Sequence, residues 1–181
     1  HQISAQSFNV EVDIHDLNNT DIEESHKIVR RWLSIDWNPT PAIHIADRID
    51  PEIAQFIQNG GGRLLRSSTF YEDFTKTVCT IQISWSGTQR MVRSLVDLLG
   101  NGMFPTPTQV LDSGEAELRE KIRLGFRAPQ LLEATQTMLD QGLMDTYGRE
   151  SGENITYEEL INMRGIGPYS ASHVMMMLHD F

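Results

Sequence analysis

Phe8, Val10, Val12 and Ile14 alternate with polar residues, the two-residue period of a half-buried strand. Asn18-Asn19 signals a turn. From Asp21 the period lengthens, and Ile22, Ile28, Val29, Trp32 and Leu33 share one broad helical face. Thr40-Pro41 and Asp50-Pro51 each set a capping side chain before a proline at the first helical position, predicting two short helices. Gly60-Gly61-Gly62 breaks the pattern. Thr69-x-x-Glu72 is a capping box and opens a helix with Phe70, Phe74, Val78 and Ile81 on one stripe. Gln82 to Gly87 reads as an interruption. The next helix carries Met91, Val92, Leu95, Leu98 and Leu99 and stops at Gly100. Thr106-Pro107 opens another, Ser113 is a candidate cap for the one after, and Leu124 to Arg127 is a turn. Leu131, Leu132, Thr135, Met138 and Leu139 form a further helical face. Thr156-x-x-Glu159 is a second capping box, and Gly165-Ile166-Gly167-Pro168 separates the last two helices. The pattern is mostly α with a strand near the start, and it holds no internal repeat or coiled coil.

Composition narrows the class. At 181 residues, with 39% hydrophobic and 22% charged, the chain can bury an ordinary core and is not of the disordered type. Its longest apolar run, Val174 to Leu178, is far short of the roughly 18 residues of a membrane span. The single cysteine, Cys79, excludes an internal disulfide and a cysteine-based metal cluster. Net charge is −10, which speaks against a generic nucleic-acid binder. The charge is uneven, however. Residues 60–127 carry nine basic and seven acidic side chains, between two flanks that are each at −6. A basic middle of this kind either focuses a phosphate backbone locally or is a solvated mixed surface. The chain begins at His1, shows no signal peptide in its first 15 residues, and ends inside an apolar helical run. It reads as a piece of a longer protein.

The segment richest in chemistry runs from Tyr157 to Ser172. A short capped helix enters a Gly-Ile-Gly turn, and a second helix starts at once with Pro168. The two glycines allow positive φ and close approach to a ligand. Amides of the turn and of the following helix start point the same way, at the positive end of the helix dipole, and suit a phosphate. Such a grip uses main-chain donors and reads no base sequence. The competing explanation is a corner in a helical bundle, with the glycines there for packing alone.

The pattern apolar-x-Gly-Ile-Gly-x-x-Ser-Ala, between a capped helix and an apolar one, resembles the helix-hairpin-helix of a DNA glycosylase superfamily. That superfamily includes endonuclease III and the alkylpurine and 8-oxoguanine DNA glycosylases. Leu124-Gly125-Phe126-Arg127-Ala128 is similar to their Gly-aromatic-Arg-Ala turn. Gly62-Arg63-Leu64-Leu65-Arg66 with Phe70 to Ser86 is similar to their helix entry and Gln/Asn-bearing loop. The resemblance covers nearly all of the chain. It implies a helical bundle with the remnant of a small N-terminal antiparallel sheet. Residues 1–60 would hold that remnant and the first helices, 61–155 the helical domain with its wedge loops, and 156–181 the helix-hairpin-helix.

The resemblance also implies roles. These enzymes flip a damaged base out of the duplex and fill the gap. Met163, Arg164, Gly165, Ile166 and Gly167 match the hairpin that holds the backbone. Gln82 matches the residue that enters the duplex, and otherwise would be a surface Gln at a helix end. Phe126 matches an intercalating aromatic, and otherwise would be core. Arg127 matches an arginine beside the orphan base and is expected to be exposed. Bifunctional relatives carry a Schiff-base lysine where this chain has Tyr169, and Lys27, Lys76 and Lys121 are its only lysines. The implied enzyme is therefore a monofunctional base-excision glycosylase. It would hydrolyse the N-glycosidic bond of an alkylated purine first, 8-oxoguanine second. Tyr169 and Trp85 would line the base pocket, the ring of Tyr169 suiting a cationic purine. Trp37 is the weaker pocket candidate, and His173 is expected to be a satisfied interior histidine. The superfamily's catalytic Asp is expected beyond Phe181, so the catalytic residue is unknown here. No cofactor or metal site is expected, although the hairpin carbonyls are candidates for a monovalent cation. The expected partner is double-stranded DNA bearing a damaged base. The expected state is a monomer away from membranes, in the cytoplasm or nucleoid of a prokaryote or the nucleus of a eukaryote. The alternative function is a non-catalytic helix-hairpin-helix module that only grips DNA.

Overall fold

The computed structural model describes residues 2–4, 7–8, 19–151 and 155–178. A short antiparallel hairpin pairs β1 (Gln2–Ser4) with β2 (Ser7–Phe8). Beyond Phe8, the strand expected through Ile14 lies outside the described residues. The helices are α1 (Asn19–Trp32), α2 (Thr40–Ile49), α3 (Pro51–Gln58), α4 (Phe70–Cys79), α5 (Trp85–Ser94), α6 (Pro107–Glu120), α7 (Arg127–Asp140), α8 (Tyr157–Asn162) and α9 (Pro168–Met177). Leu95–Leu99 prolongs α5 as one π-helical turn ending at Gly100.

Helix α4 is the axis of the core. Phe70, Tyr71, Phe74, Val78 and Cys79 are all buried, so the helix is apolar well beyond the single stripe read from its spacing. It packs against α5, α7 and α9, while α6 packs on α7 and α8 on α9. Leu95, Leu118, Leu131, Met138, Leu160 and Val174 close the core around it. Each such side chain, fully removed from water, stabilises the fold by roughly 1.5–3 kcal/mol. The Tyr71 hydroxyl would be costly to bury alone. It shares a 2.8 Å hydrogen bond with Thr135 Oγ1, and burial pushes the phenol well above its ordinary pKa. Burial likewise pushes the Cys79 thiol up to about 12.

Helix α1 is docked by charge more than by apolar burial, since none of its described side chains is fully buried. Arg31 donates to Asp73 Oδ2 at 2.8 Å and to Glu150. Asp73 also accepts from the Ser67 amide at 2.8 Å. Burial pushes the Asp73 carboxyl above the ordinary aspartate value, against the pull of Ser67 and Arg31. Arg66 donates to the carbonyls of Arg31 and Met177, at 3.1 and 3.2 Å, and so ties the C-terminal ends of α1 and α9 together. A cation suits the negative end of each dipole.

Several caps differ from expectation. Asp50 caps α3 through the Glu52 amide. Thr40 does not cap α2. It is already helical, and its amide is taken by Asn38 Oδ1 at 3.1 Å. Thr69 accepts from the Glu72 amide, but Glu72 reaches back to Ser68, one residue too early for a reciprocal box. Both capping-box bonds form at Thr106 and at Thr156. The Ser113 hydroxyl donates backwards to Val110 O, and α6 kinks at Gly114. The interruption after α4 ends at Ser84, which caps α5, so Trp85 to Gly87 are helical.

Candidate nucleic-acid interface

The capping box at Thr156 starts α8, and the apolar Leu160 anchors it in the core. The chain then turns over Met163–Gly167 into α9. Gly165 sits at φ +83°, and a Cβ there would run into the Gln130 side chain of α7. The positive φ favours glycine at 165, and a Cβ would also push the end of the Gln130 side chain aside. Gly167 is different. Its φ is −93°, which any residue adopts, and a Cβ there would meet nothing within 4 Å. Nothing inside the protein requires glycine at 167, which leaves close approach from outside as a reason for it.

The amides of Gly165, Gly167, Tyr169 and Ser170 donate to no other described residue. Ile166 departs from expectation, because its amide is spent on Met163 O at 3.1 Å. Met163 and Ile166 have buried side chains, so only their main chain is available to a ligand. Arg164 is exposed and leans 3.4 Å from Glu133 on α7, a weak surface pair.

The turn between α4 and α5 meets this hairpin. Thr80, Ile81, Gln82, Gly165, Gly167, Pro168, Tyr169 and Ser170 line one open cleft of about 560 Å³. Gln82 is exposed and stands at φ +49°, a left-handed conformation uncommon for a side-chain-bearing residue. The sequence places Gln82 and Gly165 of the hairpin 83 residues apart, and the packing of α9 on α4 brings them together.

Tyr169 is 74% exposed and lies parallel to the His173 ring, with centroids 6.1 Å apart at 10°. His173 is not the interior histidine expected from the sequence. It is half-buried and lines a second, larger cleft of about 1080 Å³ bounded by α4, α5 and α9. Trp85, 69% exposed, lines the same cleft. Thr80 lines both clefts, and the Tyr169–His173 stack spans from one to the other. Spacing alone placed Tyr169 and His173 on one face. It gave no sign of the cleft beneath them, which depends on α4 and α5. Trp37 lines neither cleft and lies under the Arg63 guanidinium at 5.6 Å.

Phe126 is 46% exposed at the turn before α7, so it is not core. Arg127 corrects the sequence reading. It is 4% exposed, and its guanidinium points inward. Nε donates to Ile81 O at 3.0 Å, Nη2 donates to the same oxygen, and Nη1 donates to Leu124 O at 3.3 Å. The guanidinium carbon also lies 4.4 Å from the centre of the Phe126 ring. Burial lowers the Arg127 pKa from its ordinary value.

Lys76 lines the larger cleft but is held by Glu72 at 2.7 Å and by Ser67 Oγ at 3.0 Å. No described carboxylate lines the smaller, hairpin-side cleft. Among the described residues no group of three or more His, Cys, Asp or Glu converges as a metal site requires. No helix among them is long and apolar enough to cross a membrane.

No protein-family model and no curated protein matches the chain. Solved structures do. A 3-methyladenine DNA glycosylase from Archaeoglobus fulgidus is similar at 23% identity and TM-score 0.62, over 90% of this chain and 58% of its own. MBOgg1 in complex with a low affinity DNA ligand is similar at 19% and 0.62, over 93% and 61%. The 8-oxoguanine glycosylase/lyase of Clostridium acetobutylicum, in complex with double-stranded DNA, is similar at 19% and 0.58, over 90% and 58%. The chain thus spans about three fifths of the length of each. It shares the mostly α, helical-bundle fold of these structures.

Proposed function

We propose that the chain is the duplex-gripping and base-receiving part of a base-excision DNA glycosylase. The observation that carries this reading is the cleft shared by Gln82 and the hairpin. It sets amides that donate to no other described residue beside a side chain that can both donate and accept in the hole left by a flipped base. The larger cleft, entered past Trp85 and the Tyr169–His173 stack, is the receiving pocket. Exposed aromatic faces there favour a cationic, alkylated purine, with 8-oxoguanine second.

The enzyme is monofunctional in this proposal. Tyr169 stands where a Schiff-base lysine is needed, and Lys76 is tied to Glu72 and Ser67. Hydrolysis also needs a carboxylate to stabilise the cationic sugar. Of the carboxylates lining the larger cleft, Glu72 is paired with Lys76 and Asp73 with Arg31, while Asp97 is exposed and has no ion pair among the described residues. The second reading is a non-catalytic DNA-binding module, and excision activity separates the two. The partner in either reading is double-stranded DNA, bound by a monomer in the nucleoid or nucleus. A monovalent cation at the hairpin carbonyls belongs to the same proposal, and potassium-dependent affinity checks it.

The test is duplex affinity at low salt, with and without an abasic-site analogue. It is joined to excision from duplexes holding 3-methyladenine, hypoxanthine or 8-oxoguanine. Tighter binding to the analogue is expected, with release of the alkylated base marking the enzyme and its absence marking the module. No binding to any duplex at low salt overturns both readings. A borohydride-trapped covalent adduct overturns the monofunctional assignment.

A further inference from the structure

Arg127 is built into the protein in a way that bears on which base pairs the chain can tell apart. All three guanidinium nitrogens are occupied, two on Ile81 O and one on Leu124 O. Ile81 lies in the turn just past the C-cap of α4, Thr80, near the negative end of that helix. Its carbonyl oxygen lies in the same rigid peptide plane as the Gln82 nitrogen. A two-nitrogen grip on that oxygen holds the plane, which is one of the two peptide planes that meet at Gln82, where φ is +49°. A glutamine holds that backbone conformation only where its surroundings impose it. The same guanidinium lies 4.4 Å from the Phe126 ring centre, so one side chain holds both turns that face the proposed duplex.

We infer that Arg127 is a positioning residue that couples the Gln82 turn to the Phe126 turn, and that the chain is indifferent to the base opposite the flipped nucleotide. To read that base the guanidinium would have to leave three hydrogen bonds to two turn carbonyls, for at most two bonds on a base edge. Its burial removes it from the surface where such a base would lie. Indifference to the opposite base suits damage that arises in any pair and argues against a substrate defined by one partner base. This inference rests on the proposal that the chain binds duplex DNA.

The experiment measures the affinity of the chain for four duplexes, each with a tetrahydrofuran abasic analogue opposite A, C, G or T. The wild type is expected to bind all four within about threefold, below the discrimination of a good base contact. Arg127→Met is expected to weaken all four alike, by about tenfold or more, and Gln82→Ala is expected to add little on that background, as coupled sites require. Arg127→Lys, which keeps one donor and the charge, is expected to restore part of the loss evenly. Should Arg127→Met not fold by circular dichroism, Arg127→Lys decides by itself, an even loss supporting the inference and a selective loss overturning it. A wild-type preference for one opposite base that Arg127→Met erases overturns the inference and leaves the DNA reading standing. So do additive losses for Arg127→Met and Gln82→Ala. Failure of the wild type to bind any of the four removes the DNA reading, and the inference with it.

Discussion

At the scale of single residues, the two hairpin glycines have different jobs. Gly165→Ala places a Cβ into Gln130 at φ +83°, and a loss of about 1–3 kcal/mol of stability is expected by thermal or urea denaturation. Gly167→Ala adds a methyl that touches nothing at an ordinary φ, and stability should move by less than about 1 kcal/mol. Its duplex affinity should nevertheless fall, equally for all sequences, because the methyl stands between the turn amides and a phosphate. Unchanged affinity in Gly167→Ala would return the turn to a packing role. Tyr169, exposed and without a side-chain hydrogen bond to any described residue, makes the complementary case. Tyr169→Ala should leave the melting temperature in place and lower affinity for lesion duplexes more than for undamaged ones. A parallel fall in both would make the ring structural. Cys79 supplies a pH test. Its folded pKa is raised from 9.0 to about 12, so the folded state keeps its proton longer than the unfolded chain does. Its contribution is therefore fully present below pH 9 and is lost as pH rises from about 9 towards 12. Cys79→Ala should flatten that alkaline slope in denaturation curves.

Among the elements, α1 is held by few contacts. Its hold on α4 is the Arg31–Asp73 pair, whose side chains are only 11% and 7% exposed. Asp73→Ala removes one of the two carboxylates on a largely buried cation, Glu150 remaining, and also strips the Ser67 amide of its acceptor, and a loss of about 1–3 kcal/mol is expected. Hydrogen exchange should open α1 and residues 66–68 before α4 and α7. What could be read in advance was local. The 156 box, the Gly-Ile-Gly turn and the α4 stripe all lie within a few residues of their partners, and each was visible as spacing. Arg127 was misread because its position in a turn signals exposure, while its acceptor, Ile81 O, lies 46 residues earlier. His173 was misread for the same reason, since its cleft belongs to α4 and α5. Thr40 failed as a cap because Asn38, two residues earlier, offered a competing oxygen. The π turn at Leu95–Leu99 had no signal, because its hydrophobic spacing is that of an α-helix.

For the whole molecule, the acidic balance and the proposed partner pull in opposite directions. A chain at −10 repels a polyanion at long range, yet affinity is decided where the surfaces meet. The hairpin answers this with main-chain amides, whose partial charges need no basic excess. Arg127 is turned inward, Arg66 is spent on two carbonyls and Arg164 leans on Glu133, which leaves few arginines to neutralise phosphates. The expected consequence is a shallow salt dependence. A binder that neutralises six to ten phosphates loses about 10³–10⁵ in affinity between 50 and 200 mM salt. This chain, with roughly two or three phosphates neutralised, should lose about tenfold to fiftyfold, a log–log slope near −2 to −3. Titrating an abasic-analogue duplex across that range measures the slope directly. A slope near −8 would mean that a basic surface, and not the hairpin amides, provides the grip. Gly167→Ala should lower the affinity at every salt concentration while leaving the slope unchanged, because an amide carries no counterion exchange of its own.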